Sequence, residues 1–380
     1  MWATVRLGDV AMVIAGQSPA GENYNKDGIG TPFMQGKKDY GDKFPNPPKV
    51  WTTSVTKLAE KGDILMSVRA PVGALNIANQ QVCIGRGLAA IRASEKIELD
   101  YLFYALLQIS ARLEGSSGAI FNSINKKQIE EIEFLLPPLN EQRRIVDKLD
   151  DAFAEIDEAL ELARKRDDEV KRLQASLLSS VLNNIDYSEM KLGAILKTGA
   201  GGTPLKSNKA FYENGTIRWL LSGAVCEKYI NNSQTYITEE GLNNSSAKLF
   251  PQDTVLIAMY GATAGQVGIL KTEAATNQAV CGIYPSSDYL PEFLYYYLTN
   301  YKKTLLLEVS GVAQPNLSQV KIKNIPLPKI PLSEQQNIVA KLESAFTEIA
   351  TINIVIQNMI EDYQTLKSAI LKQELQSEAA

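Results

Sequence analysis

A nineteen-residue segment occurs twice in this chain of 380 residues, and no other sequence feature constrains the fold as strongly. "PLNEQRRIVDKLDDAFAEI" runs from Pro138 to Ile156, and "PLSEQQNIVAKLESAFTEI" runs from Pro331 to Ile349, 193 residues later. Twelve of the nineteen positions are identical. Because each copy of a repeat forms an equivalent structural unit, we expect two successive copies of one folding pattern.

Weaker similarity extends on both sides of the repeated segment. "INKKQIEEIEFLLPPL" from Ile124 aligns with "LSQVKIKNIPLPKIPL" from Leu317, and "KGDILMSVRAPVG" from Lys61 resembles "PQDTVLIAMYGATAG" from Pro251. The chain therefore alternates between two segments that diverge and two that stay alike. The predicted divergent domains are 1–136 and 187–329, and the predicted similar segments are 137–186 and 330–380.

Each similar segment is predicted to be one long helix. Prolines precede it, Asn140 or Ser333 is the expected N-cap, and Glu141 and Glu334 fall in the first turn, where the helix dipole favours a carboxylate. Roughly 40 residues at about 1.5 Å each give a rod of about 60 Å. Its single apolar stripe needs a partner, and the other copy can supply one as a coiled coil. The stripe comprises Ile145, Leu149, Phe153, Ile156, Leu160, Ala163, Val170, Leu173, Leu177 and Val181, and in the second copy Ile338, Leu342, Phe346, Ile349, Ile352, Ile356, Ile360, Tyr363, Leu366 and Ile370.

The divergent segments have the pattern of mixed α/β domains. "GDILMSVRA", "QQVCIG" and "GLAAIRA" are short strand candidates, because they are rich in β-branched and small apolar residues. "DYLFYALLQISARLE" and "PEFLYYYLTNYKKTLLL" have helical periodicity, and we expect Tyr295, Tyr296 and Tyr297 in the second of these to be core residues. Stretches rich in glycine and proline predict several long loops.

Composition excludes several kinds of catalytic site. The chain has no histidine, which removes Ser-His and Cys-His nucleophile pairs and histidine-ligated zinc. Cys83, Cys226 and Cys281 lie far apart and are predicted to be reduced core residues. No apolar run approaches the length of a membrane helix, and the N-terminus lacks the pattern of a signal peptide, so we expect a cytoplasmic protein without a membrane partner.

The net charge of −4 is distributed unevenly along the chain. The divergent segments carry net charges of +1 and +3, whereas each similar segment carries −4. Acidic helices are poorly suited to lie on phosphate and suit a solvated or protein-facing role. The divergent domains can contact nucleic acid through basic loops such as "QGKKDYGDK" and "LKSNKAFY", with a partner supplying further phosphate neutralisation.

Two motifs that suggest cofactor chemistry do not meet its requirements. "GAGGTP" from Gly199 lacks the spacing of a dinucleotide-binding loop and is followed by no GK[ST] sequence. "NPPK" from Asn46 resembles a methyltransferase motif, but Lys49 occupies the place of the aromatic residue that stacks on the base. We interpret it as a turn.

The doubled pattern PL-x-EQ-x-x-IV-x-K-L-x-x-AF-x-EI, the four-part plan and the "AGGTP" loop after "LG" together resemble the specificity subunit of bacterial type I restriction–modification enzymes. The resemblance covers essentially the whole chain. It implies an α/β fold of mixed α+β type: two tandem target recognition domains, separated by two conserved spacer helices that pack as an antiparallel coiled coil, with a pseudo-twofold internal repeat.

The resemblance also implies a function without catalysis in this chain. Each recognition domain is expected to bind one half of a split, asymmetric double-stranded DNA site, while the helices set the gap and dock two methyltransferase subunits. Restriction subunits are expected to join through that complex, which acts as an adenine DNA methyltransferase and site-specific deoxyribonuclease. S-adenosylmethionine, Mg and ATP would belong to the partner subunits, and this chain is expected to bind no cofactor and no metal.

Candidate site residues follow from the chemistry of base and phosphate recognition. Arginine forms bidentate pairs with guanine and Asn or Gln with adenine, while lysine suits phosphate. The candidate DNA-binding residues are Lys37, Lys38, Arg69, Arg86, Lys206, Lys209, Asn277 and Gln278. The candidate partner-docking residues are Glu141, Gln142, Glu334 and Gln335, which are also explained as helix-start residues that satisfy free backbone N–H groups.

Other functions remain open from the sequence alone. A coiled-coil scaffold that binds only proteins would show no DNA sequence preference. A specificity subunit of another multi-subunit DNA methyltransferase would share the same plan. A fused DNA methyltransferase is disfavoured, because its cofactor and catalytic motifs are absent from the sequence.

Overall fold

Short apolar runs form strands in both halves of the chain, and two long amphipathic stretches form helices. The computed structural model describes residues 2–115, 123–307 and 316–376, without the side chains of 111–115. These residues group into two units. Unit 1 comprises Met1–Arg164 and Gln357–Ala380, and unit 2 comprises Lys165–Ile356.

Unit 1 contains a four-stranded sheet, a five-stranded sheet and a two-stranded ribbon, in the orders β2-β10-β7-β8, β3-β5-β4-β9-β6 and β1-β11. Its strands are β1 (Ala3–Arg6), β2 (Ala11–Ala15), β3 (Tyr24–Asn25), β4 (Thr31–Met34), β5 (Trp51–Thr52), β6 (Leu58–Ala59), β7 (Ile64–Ser67), β8 (Leu75–Ile77), β9 (Val82–Ile84), β10 (Leu88–Ala93) and β11 (Glu133–Leu136). Its helices are α1 (Leu7–Val10), α2 (Leu99–Gly115), α3 (Lys126–Glu130) and the first part of α4 (Leu139–Leu182), with short 3-10 turns at Gly21–Asn23 and Lys37–Asp39.

Unit 2 repeats this arrangement, with sheets ordered β13-β21-β18-β19-β15 and β16-β14-β20-β17 and a ribbon β12-β22. Its strands are β12 (Glu189–Lys191), β13 (Thr198–Ala200), β14 (Ile217–Leu220), β15 (Tyr229–Ile230), β16 (Tyr236–Ile237), β17 (Leu249–Phe250), β18 (Val255–Ala258), β19 (Val267–Leu270), β20 (Ala274–Thr276), β21 (Val280–Ile283) and β22 (Pro326–Pro328). Its helices are α5 (Leu192–Ile195), α6 (Glu239–Asn243), α7 (Pro291–Leu307), α8 (Gln319–Lys323) and the first part of α9 (Leu332–Gln376), with 3-10 turns at Lys209–Phe211, Ser222–Ala224 and Gly261–Thr263.

Each unit has its main core between a sheet and a helix. In unit 1, α2 covers the sheet that contains β7 and β10, and the buried residues include Ile64, Ile91 and Tyr101. In unit 2, α7 occupies the equivalent place, and Tyr296 and Tyr297 are buried as predicted, whereas Tyr295 is half-buried against the same core. The mixed α/β prediction for both domains is therefore confirmed.

The long helices α4 and α9 have 44 and 45 residues. Within unit 1, Lys148 of α4 pairs with Glu374 of α9 at 3.3 Å, and Asp157 pairs with Lys367 at 2.6 Å. The paired residues have decreasing numbers in α9 as the residue numbers in α4 increase, so the two helices run antiparallel, as predicted. Ile145, Leu149 and Phe153 share a core with Leu371 and Leu375 of α9.

Some details differ from the sequence-based expectations. The helices begin at Leu139 and Leu332, so Asn140 and Ser333 lie in the first turn instead of capping it. Three residues of the predicted apolar stripe are about half exposed instead of buried: Leu173, Ile352 and Leu366. Cys83 and Cys281 are buried as predicted, but Cys226 is exposed, because it lies in the loop between β14 and β15 rather than on a strand.

Candidate functional site

Four loops of unit 1 are joined by backbone hydrogen bonds at one edge, which we call loop edge 1: the loops that follow β2, β4, β7 and β9. Gln17 N–H donates to the carbonyl of Ile84 at 2.9 Å, which joins the first and last of these loops. Gly85 N–H donates to Met34 at 2.8 Å, and Val68 N–H donates to Gly87 at 2.9 Å. Strands β4 and β9 are parallel, so their following loops leave at the same end.

Unit 2 repeats these bonds in the loops that follow β13, β14, β18 and β20, which we call loop edge 2. Gly202 N–H donates to Thr276 at 2.9 Å, Asn277 to Leu220 at 2.9 Å and Met259 to Ala279 at 2.7 Å. Strands β14 and β20 are parallel, as β4 and β9 are in unit 1. The two edges therefore have one backbone framework, and residues at equivalent positions can be compared directly.

Close backbone approach explains the glycines that begin each edge. A Cβ at Gly16 would lie 2.2 Å from the carbonyl oxygen of Gly85, and a Cβ at Gly201 would lie 2.1 Å from the hydroxyl of Thr276. Neither position tolerates a larger residue without a shift of the neighbouring loop. The "AGGTP" segment is thus explained by packing between loops.

Equivalent positions on the two edges carry unlike side chains. Arg86 follows Gly85 in unit 1, and Gln278 follows the equivalent Asn277 in unit 2. Arg69 bridges to Ser123 where, in unit 2, Tyr260 bridges to Asn316. An arginine fork in one unit is therefore replaced by an amide or a phenol in the other, on the same framework.

The structure brings the predicted DNA-binding residues of unit 1 to loop edge 1. Lys37 and Lys38 form the turn after β4, and both are exposed. Arg69 and Arg86 are exposed as well, and the backbone N–H of Arg86 donates to Ser18 Oγ at 3.2 Å. Within the described residues no carboxylate forms an ion pair with any of these four cations, so their charge faces solvent.

In unit 2 the predicted residues lie in two connections of loop edge 2, those that follow β13 and β20. Asn277 is half-buried, and its Oδ1 accepts from the N–H of Ala279 at 3.1 Å, whereas Gln278 is exposed and its Oε1 accepts from the hydroxyl of Thr203. Lys206 and Lys209 are exposed and follow Thr203 along the chain. Lys209 forms only an exposed ion pair with Glu213 at 3.9 Å, which contributes little to stability.

The glutamines of the doubled EQ motif are completely buried. Gln142 Oε1 accepts from the N–H of Glu98 at 2.8 Å, and its Nε2 donates to the carbonyls of Pro137 and Lys96 at 2.8 and 3.3 Å. Gln335 makes the equivalent contacts to Leu290, Ile330 and Asp288 at 2.8, 3.0 and 2.8 Å. Each amide fastens a long helix to the start of α2 or α7.

The neighbouring glutamates are half-buried and differ in their partners. Glu141 accepts from Arg144 Nε at 2.8 Å, and this bond lowers the pKa of its carboxyl. Glu334 accepts from Asn337 Nδ2 at 3.3 Å and lines a cavity of about 440 Å³ with Asn337 and Lys341. A partner-docking role for Glu141, Gln142, Glu334 and Gln335 stays a prediction.

Two functional candidates were missed from the sequence. Tyr260 is exposed at the position equivalent to Arg69, and the alignment of "SVRAPVG" with "AMYGATAG" contained that signal. Lys43 ends the basic loop "QGKKDYGDK", but its amine lies over the rings of Phe103 and Tyr104 rather than on the exposed edge. No sequence signal separates Lys43 from the exposed Lys37 and Lys38.

Residues 2–115, 123–307 and 316–376 hold no group of three or more Cys, Asp or Glu side chains placed to bind a metal ion. No helix among them has both the length and the apolar character required to cross a membrane.

Comparison with known proteins identifies the family. The family model for the type I restriction modification DNA specificity domain matches residues 1–172 and again 184–362. The putative type I restriction enzyme MjaX specificity subunit of Methanocaldococcus jannaschii is 40% identical over 185 residues, which is 48% of this chain and 42% of that protein. The chain thus aligns with less than half of that relative's own length.

Solved structures share the fold. A chain from a structure on complex assembly and conformational transition of the type I R-M system superposes with a TM-score of 0.76 at 19% identity, covering 100% of this chain and 98% of that one. The HsdS subunit of Thermoanaerobacter tengcongensis gives a TM-score of 0.55 at 20% identity, covering 100% and 97%. With two matched copies that together span most of its length, the chain belongs to the family of type I restriction modification DNA specificity domains.

Proposed function

We propose that this chain is the DNA sequence-recognition subunit of a type I restriction–modification complex and is not itself catalytic. One observation carries the proposal: two loop edges share a backbone framework but present unlike exposed side chains, Arg69 and Arg86 in one unit and Tyr260 and Gln278 in the other. Exposed arginines suit guanine, and an exposed amide suits adenine. Two unlike edges bind two unlike half-sites, so the DNA site is split and asymmetric.

Phosphate contacts complete each proposed interface. Four lysines can neutralise phosphates on either side of the bases, because they are exposed in connections of the loop edges: Lys37 and Lys38 after β4, and Lys206 and Lys209 after β13. With net segment charges of only +1 and +3, the interface depends on a partner for further neutralisation.

The long helices take the remaining roles in this proposal. They set the gap between half-sites and dock two methyltransferase subunits, through which restriction subunits join. S-adenosylmethionine, Mg and ATP belong to those partners, and the complex works in the cytoplasm.

Removing seven residues from each helix at facing positions shortens the rod by about 10 Å, which corresponds to about three base pairs of DNA. The half-sites should stay the same while the unread gap shrinks.

Methylome sequencing of a host that carries this chain and its methyltransferase partner tests the proposal. The expected result is one split motif with two different half-sites. A continuous palindrome would contradict the two-edge assignment. The scaffold alternative, in which the chain binds only proteins, predicts no sequence preference when the chain and its partner are titrated with random and motif-bearing duplexes.

A further inference from the structure

Lys43 and Lys228 occupy equivalent positions that neither the basic-loop motif nor the interface explains. The carbonyl of Lys43 accepts from the N–H of Ile77 on β8 at 2.8 Å, and the carbonyl of Lys228 accepts from Ile269 on β19 at 2.8 Å. Each lysine lies in the loop that begins at a loop edge, after β4 in unit 1 and after β14 in unit 2, at the point where that loop reaches β8 or β19. These loops, "QGKKDYGDK" and "LSGAVCEK", differ in length and at most positions, but in both an acidic residue precedes the lysine.

In unit 2 this lysine joins three elements. Lys228 Nζ donates to Glu343 of α9 at 2.7 Å and to the Tyr296 hydroxyl of α7 at 2.9 Å. It also lies 4.5 Å from the ring centre of Tyr296 and 5.7 Å from that of Tyr295, the equivalents of Tyr104 and Phe103. Burial opposes its charge, but the bonds to Glu343 and Tyr296 outweigh that effect and raise the pKa of the amine. The side chain is only 22% exposed, so it is withdrawn from any ligand on the loop edge.

Unit 1 contains an equivalent cluster of a lysine, aromatic rings and carboxylates, but the carboxylates bind different members of the cluster. Lys43 Nζ lies 5.8 and 5.7 Å from the ring centres of Phe103 and Tyr104 of α2, and pairs with Asp100 at 3.0 Å. The hydroxyl of Tyr104 donates to Asp150 of α4. Tyr104 and Asp150 stand 192 and 193 residues before Tyr296 and Glu343. The connection from loop to core helix to long helix is therefore present in both units.

We propose that Lys43 and Lys228 are positioning residues that fasten each DNA-contacting loop to the core helix and the long helix, and thereby hold the loop edges in the geometry that discriminates half-sites. This inference rests on the proposed DNA-recognition function. Two compositionally different loops carry one lysine on one aromatic pair, and each amine also pairs with a carboxylate. Phosphate contacts tolerate movement of the loop, so a loop that is no longer held in place can still bind phosphates. Hydrogen bonds to base edges depend on direction and would be lost.

The test compares variants of the full chain in complex with its methyltransferase partner. Lys43→Met and Lys228→Met keep the apolar stem and remove the charge. Binding is measured on a duplex with the methylated motif and on a scrambled duplex, at several salt concentrations. We expect the ratio of cognate to scrambled affinity to fall about tenfold, equivalent to about 1.4 kcal/mol. The slope of log affinity against log salt should stay unchanged, because neither lysine contacts phosphate.

The matched control is Lys197→Met, since Lys197 lies 4.6 Å over the ring of Tyr284 and, in the part of the chain that the structure describes, has no bond to a long helix. It should leave the affinity ratio unaltered, and Lys228→Arg should restore most of the ratio. If a methionine variant fails to fold, Glu343→Gln removes the charge that pairs with Lys228 and Tyr104→Phe removes the bond to Asp150, both with less disturbance, and both should also lower the ratio.

Two results would overturn the inference. A slope that falls by about one per lysine would make these residues phosphate contacts. A thermal midpoint that falls while the affinity ratio holds would make them purely structural. Failure of the proposed function itself is distinguishable, because the unmodified chain with its partner would then show no preference for any duplex.

Discussion

The side-chain oxygen of Gln335 accepts a hydrogen bond of 2.8 Å from the backbone N–H of Leu290, the residue that precedes α7. Gln142 holds Glu98, before α2, in the same way and at the same distance. The identical glutamines of the two repeated segments therefore have a structural role within the chain. Each one joins a long helix to the domain that precedes it. Neighbours that point outward differ, such as Arg144 and Asn337.

We expect Gln142→Ala and Gln335→Ala to lower stability. Each substitution leaves one buried carbonyl, that of Pro137 or Ile330, and two part-buried backbone groups without their partner. An unsatisfied buried group costs about 1–3 kcal/mol. The measurement is chemical denaturation followed by far-UV circular dichroism, with Gln336→Ala as the control because Gln336 is exposed one residue further on. A loss no larger than that of the control would show that the amide does not hold the joint.

Thiol reactivity should distinguish the three cysteines. Cys226 is exposed, whereas Cys83 and Cys281 are buried, and burial raises the pKa of the Cys281 thiol to about 12. Because the thiolate is the reactive form, one thiol per chain should react with Ellman's reagent at pH 8 in the native state and three in denaturant. Cys226→Ser should abolish the native reaction. Rapid labelling of that variant would contradict the burial of the other two.

The long helices and core strands were predictable because their signals are local. The 3.6-residue periodicity around Phe153 and the apolar run at Ile64 each indicate their element without reference to the rest of the chain. The geometry of the site was harder to predict from the sequence, because it depends on hydrogen bonds between loops that are far apart along the chain. Sequence placed Lys43 with Lys37 and Lys38 in one basic loop, and only the three-dimensional packing of Phe103 and Tyr104 separates it from them.

Replacing Lys37 and Lys38 by alanine should weaken DNA binding to the same extent on all sequences. Both side chains are exposed, and within the described chain neither forms an ion pair. A lysine that neutralises one phosphate contributes about 0.9 to the slope of log affinity against log salt. In fluorescence anisotropy titrations, we therefore expect the magnitude of this slope to be smaller by nearly two in the double variant. The ratio of cognate to scrambled affinity should stay unchanged.

The control for that measurement is Lys126→Ala, since Lys126 is also exposed but lies on α3 and pairs with Glu130 at 3.5 Å. It should leave the slope unaltered. An unchanged slope in the Lys37 and Lys38 variant would place the phosphate contacts of unit 1 elsewhere.

Exchanging the equivalent residues Arg86 and Gln278 should alter specificity in a defined direction. Arg86→Gln presents an amide in place of an arginine fork, which favours adenine over guanine at one position of one half-site. Gln278→Arg should produce the opposite change in the other half-site. A wrong base costs about 1–3 kcal/mol, or roughly 5- to 150-fold in affinity. Methylome sequencing of hosts carrying each variant measures both changes, with Gln80→Arg, an exposed site after β8, as the control.

The exchange of Arg86 and Gln278 is possible because the two loop edges share one backbone framework. Because Val68 and Met259 donate equivalent bonds to Gly87 and Ala279, at 2.9 and 2.7 Å, an arginine at position 278 leaves the backbone at the same place as Arg86. The half-site read by the other unit should stay unchanged in each variant, since only one edge is altered. A variant that methylates the original motif with full efficiency would show that the exchanged side chain does not contact a base.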